Sequence, residues 1–86
     1  MPELCRFYGI IIRMYPTDHP PPHFHAEYGE HEAVIAIEDG RTIAGSLPAR
    51  ALHLVSDWFE LHRSELEDLW QIARQSQPLR KLDPLE

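Results

Sequence analysis

His23-Phe24-His25-Ala26-Glu27-Tyr28 alternates polar and apolar side chains, and the segments after it keep the same short rhythm. Successive side chains of a β-strand point to opposite faces. His23, His25 and Glu27 therefore share one face, and Phe24, Ala26 and Tyr28 the other. This is the pattern of a strand with one face on a core and one on solvent. Gly29-Glu30 reads as a turn. Residues 32–38, from Glu32 to Glu38, read as the next strand. Asp39-Gly40 is a two-residue hairpin signal, because a type I′ turn needs positive φ at both central positions. Residues 41–47 then return as a shorter strand.

Upstream, residues 7–15 are β-branched and aromatic and read as one strand. The run Ile10-Ile11-Ile12 suggests burial on both of its faces. Between this strand and His23, residues 16–22 hold four prolines, which excludes helix and regular sheet pairing. The expectation is a rigid, partly extended loop. Downstream, Pro48 suits the first turn of a helix, where its missing N–H costs nothing. Ala51, Leu52, Val55, Trp58, Phe59, Leu66, Leu69, Trp70 and Ala73 follow at helical spacing. The apolar stripe runs through His62, which allows one helix to about residue 75. Ser64 and Glu67 also make an S-x-x-E capping box, which allows a break near Arg63. One helix of roughly 28 residues would measure about 40 Å and overhang so small a sheet, which favours two. The fold class is therefore α+β: a small antiparallel sheet of three to four strands between about residues 5 and 47, then one long or two shorter helices over residues 48–76. In the tail, residues 77–86, Leu79, Leu82 and Leu85 form a strip that either packs or frays.

At 86 residues the chain is read as a single domain, residues 1–86. A domain of this size buries roughly 60–65% of its unfolded surface, which leaves little margin. No apolar run approaches the roughly 20 residues of a membrane helix, and the N-terminus lacks the pattern of a signal peptide. A lone cysteine, Cys5, permits no internal disulfide. These features lead to an expectation of the cytoplasm, with no membrane partner. The formal charge of −6 argues against a protein held to nucleic acid by general phosphate attraction.

His19, His23 and His25 lie within seven positions, flanked by Asp18 and Glu27. On a strand, His23 and His25 point to one side, so both imidazoles can reach one metal ion. With Glu27, and with His19 folded back, the donor set suits zinc or another first-row divalent metal. The candidate metal ligands are His19, His23, His25 and Glu27. A metal-free reading uses the same face. If the first strand pairs with the strand at 23–28, Arg13 joins His23, His25 and Glu27 as a candidate catalytic set for general acid–base cleavage of RNA. Tyr8, Tyr15 or Tyr28 would then stack on a base. The simplest alternative is a solvated face of histidines bonded to Glu27 or Arg13.

Other features read as structural. His53 and His62 are expected at the surface or edge of the helix, Trp58 and Trp70 as core anchors or an interface, and Cys5 as inert. Asp57, Glu60, Glu65, Glu67 and Asp68 make an acidic face that is either solvated or drawn to a basic partner.

The segments Arg6 to Tyr15, Asp18-His19, Pro21-Pro22-His23-Phe24-His25-Ala26 and Gly45-Ser46-Leu47-Pro48 resemble the small bacterial family called domain of unknown function 4160. The resemblance spans about residues 3–85, and Asp18 to Ala26 is its most specific part. It implies a compact bacterial or archaeal protein whose gene lies beside that of another small domain, in cassettes that look like toxin–antitoxin modules. It carries no catalytic residues with it. The leading expectation is accordingly a non-enzymatic interaction domain that binds the neighbouring gene's product. The runner-up is a His-dependent hydrolase or ribonuclease, with or without a metal, and only this reading involves RNA. A homodimer is a further candidate assembly, because two tryptophans and a small core leave apolar surface to cover.

Overall fold

The segment expected as one strand over residues 7–15 is a hairpin. In the computed structural model, which describes residues 3–15, 19–75 and 77–86, β1 (Glu3–Phe7) turns back into β2 (Ile10–Arg13). Tyr8 (φ 51°) and Gly9 (φ 81°) both occupy the left-handed region, as a two-residue type I′ turn requires. Gly9 inside a strand-like run was the signal for this turn. The isoleucine run alternates as well: Ile10 and Ile12 are fully buried, while Ile11 is half-buried on the other face.

Three further strands complete the sheet: β3 (His23–Tyr28), β4 (His31–Ala36) and β5 (Thr42–Ser46). All neighbours are antiparallel, in the order β1-β2-β3-β4-β5. The α+β class holds, with five strands rather than three to four. The β3–β4 connection is the expected Gly29-Glu30 turn, with Tyr28 opposite His31 and Gly29 at φ 59°. The β4–β5 connection is longer than the Asp39-Gly40 pair implies. Gly40 has φ 75°, whereas Asp39 does not adopt positive φ. Strand pairing ends at Ala36, whose N–H bonds to the carbonyl of Arg41 at 2.8 Å. Ile37 leaves the ladder because its side chain is needed in the core, and its N–H is satisfied by the Pro22 carbonyl at 3.0 Å.

A single helix, α1 (Ala49–Arg74), covers one sheet face. Pro48 is its N-cap, and its carbonyl accepts the Leu52 N–H at 2.9 Å. The expected stripe from Ala51 to Ala73 is buried except for Leu52, which is partly buried against the core. The helix is continuous but kinked at His62 (φ −121°, ψ 16°). The break thus falls two residues before the Ser64–Glu67 box. His62 bonds through Nδ1 to Glu65 Oε1 at 2.6 Å, and its ring tilts against Trp58 at 5.0 Å. His62 is buried and not at the surface; its hydrogen bond to Glu65 is what makes burial of a polar ring affordable there. His62 and the nearby Arg80 guanidinium hold the Glu65 carboxyl below its ordinary range.

The tail packs. Leu82 is 6% exposed, and its N–H bonds to the Leu4 carbonyl of β1 at 2.9 Å. Trp58 Nε1 donates to the Asp83 carbonyl at 2.9 Å, while Leu79 and Leu85 lie against the core. Trp58 is fully buried between Phe7 and Phe24.

Candidate functional site

Antiparallel register places the cluster on the open face of the sheet. Arg13 stands opposite His25, and Ile11 opposite Glu27. The Arg13 guanidinium reaches diagonally to Glu27, Nε to Oε2, at 2.9 Å. On the next strand Glu32 is directly opposite Glu27, a like-charge pair that would repel if left alone. Each carboxylate has its own cationic or protic neighbour: Arg13 for Glu27, and His25 Nδ1 for Glu32 at 3.2 Å. Tyr15 sets its ring edge-on to His25 at 4.8 Å. The face is thus a short ladder of diagonal pairs running across β2, β3 and β4.

His23 belongs to this face by periodicity but is carried to its rim. It is 9% exposed, and its Nδ1–H donates to the Pro21 carbonyl at 2.7 Å. Its ring lies 5.3 Å from Trp70 of α1 and 5.2 Å from His25. Phe24 and Ala26 point into the core as expected, but Tyr28, at the strand end, is exposed. His19 is exposed in the preceding loop, and Asp18 lies outside the described residues. The structure therefore brings Arg13, His25 and Glu27 together and adds Tyr15 and Glu32. His23 stands between this group and the helix, its ring against both His25 and Trp70. Among the described residues no group of three or more His, Cys, Asp or Glu side chains is arranged to hold a metal ion.

The other side of the His23–Trp70 contact opens into a cleft of about 530 Å3. Pro21, Pro22, Ile37 and Trp70 give it apolar walls, and Glu38, Arg41, Glu67 and Asp68 line its rim. Arg63 closes one side, bonding to the Glu38 carbonyl and lying over the Phe59 ring at 5.6 Å. The stiff Pro21-Pro22 segment was the only local sign of this wall. The helical residues opposite it join through the tertiary fold. Cys5 is buried, and desolvation pushes its thiol up to about 12. It stays protonated at neutral pH and is no nucleophile.

A family model matches residues 9–71 of the chain. The chain belongs to the family described as Domain of unknown function (DUF4160). The DUF4160 match runs from the β1–β2 turn to the last turns of α1. It takes in the open-face ladder, the cleft and all of β5, and leaves out β1 and the tail that bonds to it. No curated protein and no solved structure matches the chain.

Proposed function

We propose that this DUF4160 chain is a protein-interaction component of a two-gene, toxin–antitoxin-like pair, and that it receives its partner by strand addition along β5. One observation carries the reading: the two edges of the sheet are unequal. At β1 the tail bonds to the edge at one point, the Leu82 N–H on the Leu4 carbonyl. Among the described residues the sheet ends at β5; the strand from Thr42 to Ser46 carries no charge and no proline, and its register shift falls at Ile43, opposite Val34 and Ile35. Edge strands of monomers are usually blunted by such residues, because a bare row of N–H and C=O groups templates another strand. Ile43, exposed on this strand, supplies a side-chain contact beside main-chain bonds, the usual division of labour in strand addition.

Trp58 and Trp70 lose support as a partner surface, because both are packed within the domain. The outer face of α1, with Asp57, Glu60, Glu67 and Asp68 exposed, remains available to a basic partner. No helix among the described residues is long and apolar enough to cross a membrane, which is compatible with a pair assembled in the cytoplasm.

Co-expression with the neighbouring gene's product tests the reading. Ile43→Lys places a charge on an exposed position, so stability stays within about 0.5 kcal/mol, while recovered partner falls about tenfold or more. Full recovery with Ile43→Lys removes β5 as the docking edge. No complex with the unaltered chain removes the pair itself. A concentration-dependent dimer in the absence of partner identifies a second copy as the occupant.

A second reading, His-dependent cleavage of RNA or hydrolysis, is favoured by the grouping of Arg13, His25, Glu27 and Tyr15 on one open face. His23 is unsuited to the test, since its replacement disturbs the contact with Trp70. His25→Ala alone is the cleaner variant: the reading requires that RNA cleavage, or growth inhibition on expression, fall at least about a hundredfold. Unchanged activity rejects it. Titration with zinc, followed through the His23 and His25 ring signals, tests the metal form of this reading.

A further inference from the structure

Where the β1–β2 turn, the end of β3 and the first turns of α1 meet, a second cleft of about 330 Å3 is lined by Tyr8, Tyr28, Arg50, Ala51 and Leu54. Three observations coincide there. Tyr8 is 58% and Tyr28 38% exposed, so two large aromatic rings are turned to solvent in one place. Tyr8 holds φ 51°, at a turn position that ordinarily takes Asn, Asp or Gly; a bulky residue with positive φ is an outlier. The sequence thus keeps an aromatic ring at a position where the backbone disfavours one. Gly9 brings the turn within van der Waals reach of the Tyr28 ring, 3.4 Å from where its Cβ would stand.

The third observation is Arg50. It is exposed and makes no ion pair among the described residues. The first turn of α1 has no acidic residue, and Pro48 provides no side-chain cap. The Arg50 guanidinium is therefore not neutralised by the first turn of its own element.

We infer that this cleft binds a planar aromatic ring carrying an anionic group, of the class of a nucleoside monophosphate. Tyr8 and Tyr28 take the base, as aromatic side chains do in sequence-tolerant stacking, and Arg50 takes the phosphate with charge-assisted bonds. The charge of −6 sets the size of the ligand. A polyanion would meet repulsion over the rest of the surface, whereas one phosphate meets only the local cation. The site is independent of the strand-addition reading and shares none of its lining residues with the histidine ladder.

The test is an NMR titration of the full chain with adenosine monophosphate, with adenosine and inorganic phosphate as separate probes. Saturable shifts of the Tyr8 and Tyr28 rings are expected, with adenosine and phosphate each at least about tenfold weaker than the nucleotide. Arg50→Gln, an exposed helix substitution, brings nucleotide binding down to the level of adenosine. Tyr8→Asn suits the left-handed turn position, so it keeps or raises the melting temperature while weakening binding by about tenfold or more. The inference is overturned if the tyrosine rings do not shift by about 1 mM nucleotide. It is equally overturned if Arg50→Gln binds the nucleotide as well as the unaltered chain, or if Tyr8→Asn does.

Discussion

Gly45→Ala lowers the stability of this domain by about 3 kcal/mol, the sum of about 1–2 for a left-handed residue with a Cβ and about 1–2 for a disturbed ladder bond. Gly45 lies at φ 70° on β5, and a Cβ built there stands 2.1 Å from the Glu32 carbonyl oxygen. That neighbour is backbone, so no side-chain rotation relieves the overlap. Either β4 and β5 separate or Gly45 leaves the left-handed region, and both options break the pairing of Ala33 with Gly45. The strand already has a register shift next to this point, between Val34 and Ile35, so the irregular edge depends on the glycine. For a domain of this size the loss corresponds to a fall of roughly 12–24 °C in Tm. A urea titration monitored by tryptophan fluorescence measures it directly. A loss under about 1 kcal/mol means that the edge tolerates repacking and that the close approach is not a constraint.

Trp58→Ala is expected to cost about 3–5 kcal/mol, a large share of the roughly 4–13 kcal/mol available to a chain of this length. The indole is fully buried, stacks with Phe7 at 5.8 Å and meets Phe24 edge-on at 5.7 Å. It also ties the tail, through Nε1 to the Asp83 carbonyl. The variant therefore loses a core volume and a tether together. The second effect has its own readout. The Leu82 amide, bonded to the Leu4 carbonyl, exchanges with solvent faster than the β3 and β4 amides in Trp58→Ala, although it is protected in the parent chain. Trp58→Phe retains most of the volume and lacks the N–H, so it separates the two contributions: tail exchange rises while the core loss stays smaller. If Leu82 remains as protected as β3 in both variants, the tail is held by its leucines and not by the tryptophan.

The helix and the later strands could be read from local pattern because both periodicities are intrinsic to the backbone. The stripe from Ala51 to Ala73 repeats at helical spacing whatever it packs against, and His23 to Tyr28 alternates whichever strands flank it. Turns were less legible. Tyr8-Gly9 is hard to read as a turn because tyrosine is a strand former and Gly9 is the one local cue; the pairing of Phe7 with Ile10 is what shows that the chain reverses there. Asp39-Gly40 was read as a tighter turn than the one formed, since the pull of the core on Ile37 outweighed the local preference. The break in the helix was expected near Arg63 on capping chemistry. It fell at His62 because a buried imidazole found both a ring to lie on and a carboxylate to bond.

The candidate site divides in the same way. That His25 and Glu27 share a face follows from a period of two, and Arg13 joins them once its strand pairs with theirs. The partners that decide their chemistry come from elsewhere in the chain: Glu32 beside His25, Trp70 beneath His23, and Pro21 on its Nδ1–H. The cleft against Trp70 and the one between Tyr8 and Tyr28 each join residues more than 40 positions apart. By itself, the sequence determined the α+β class, the positions of most strands, the helical stripe and the resemblance to DUF4160. Only the tertiary structure decided that the tail bonds to β1 while β5 forms the other edge among the described residues, and that His23, His25 and His62 are tied to neighbours. Periodicity depends on near neighbours in the chain, whereas edges, clefts and ion pairs depend on which distant segments the core draws together.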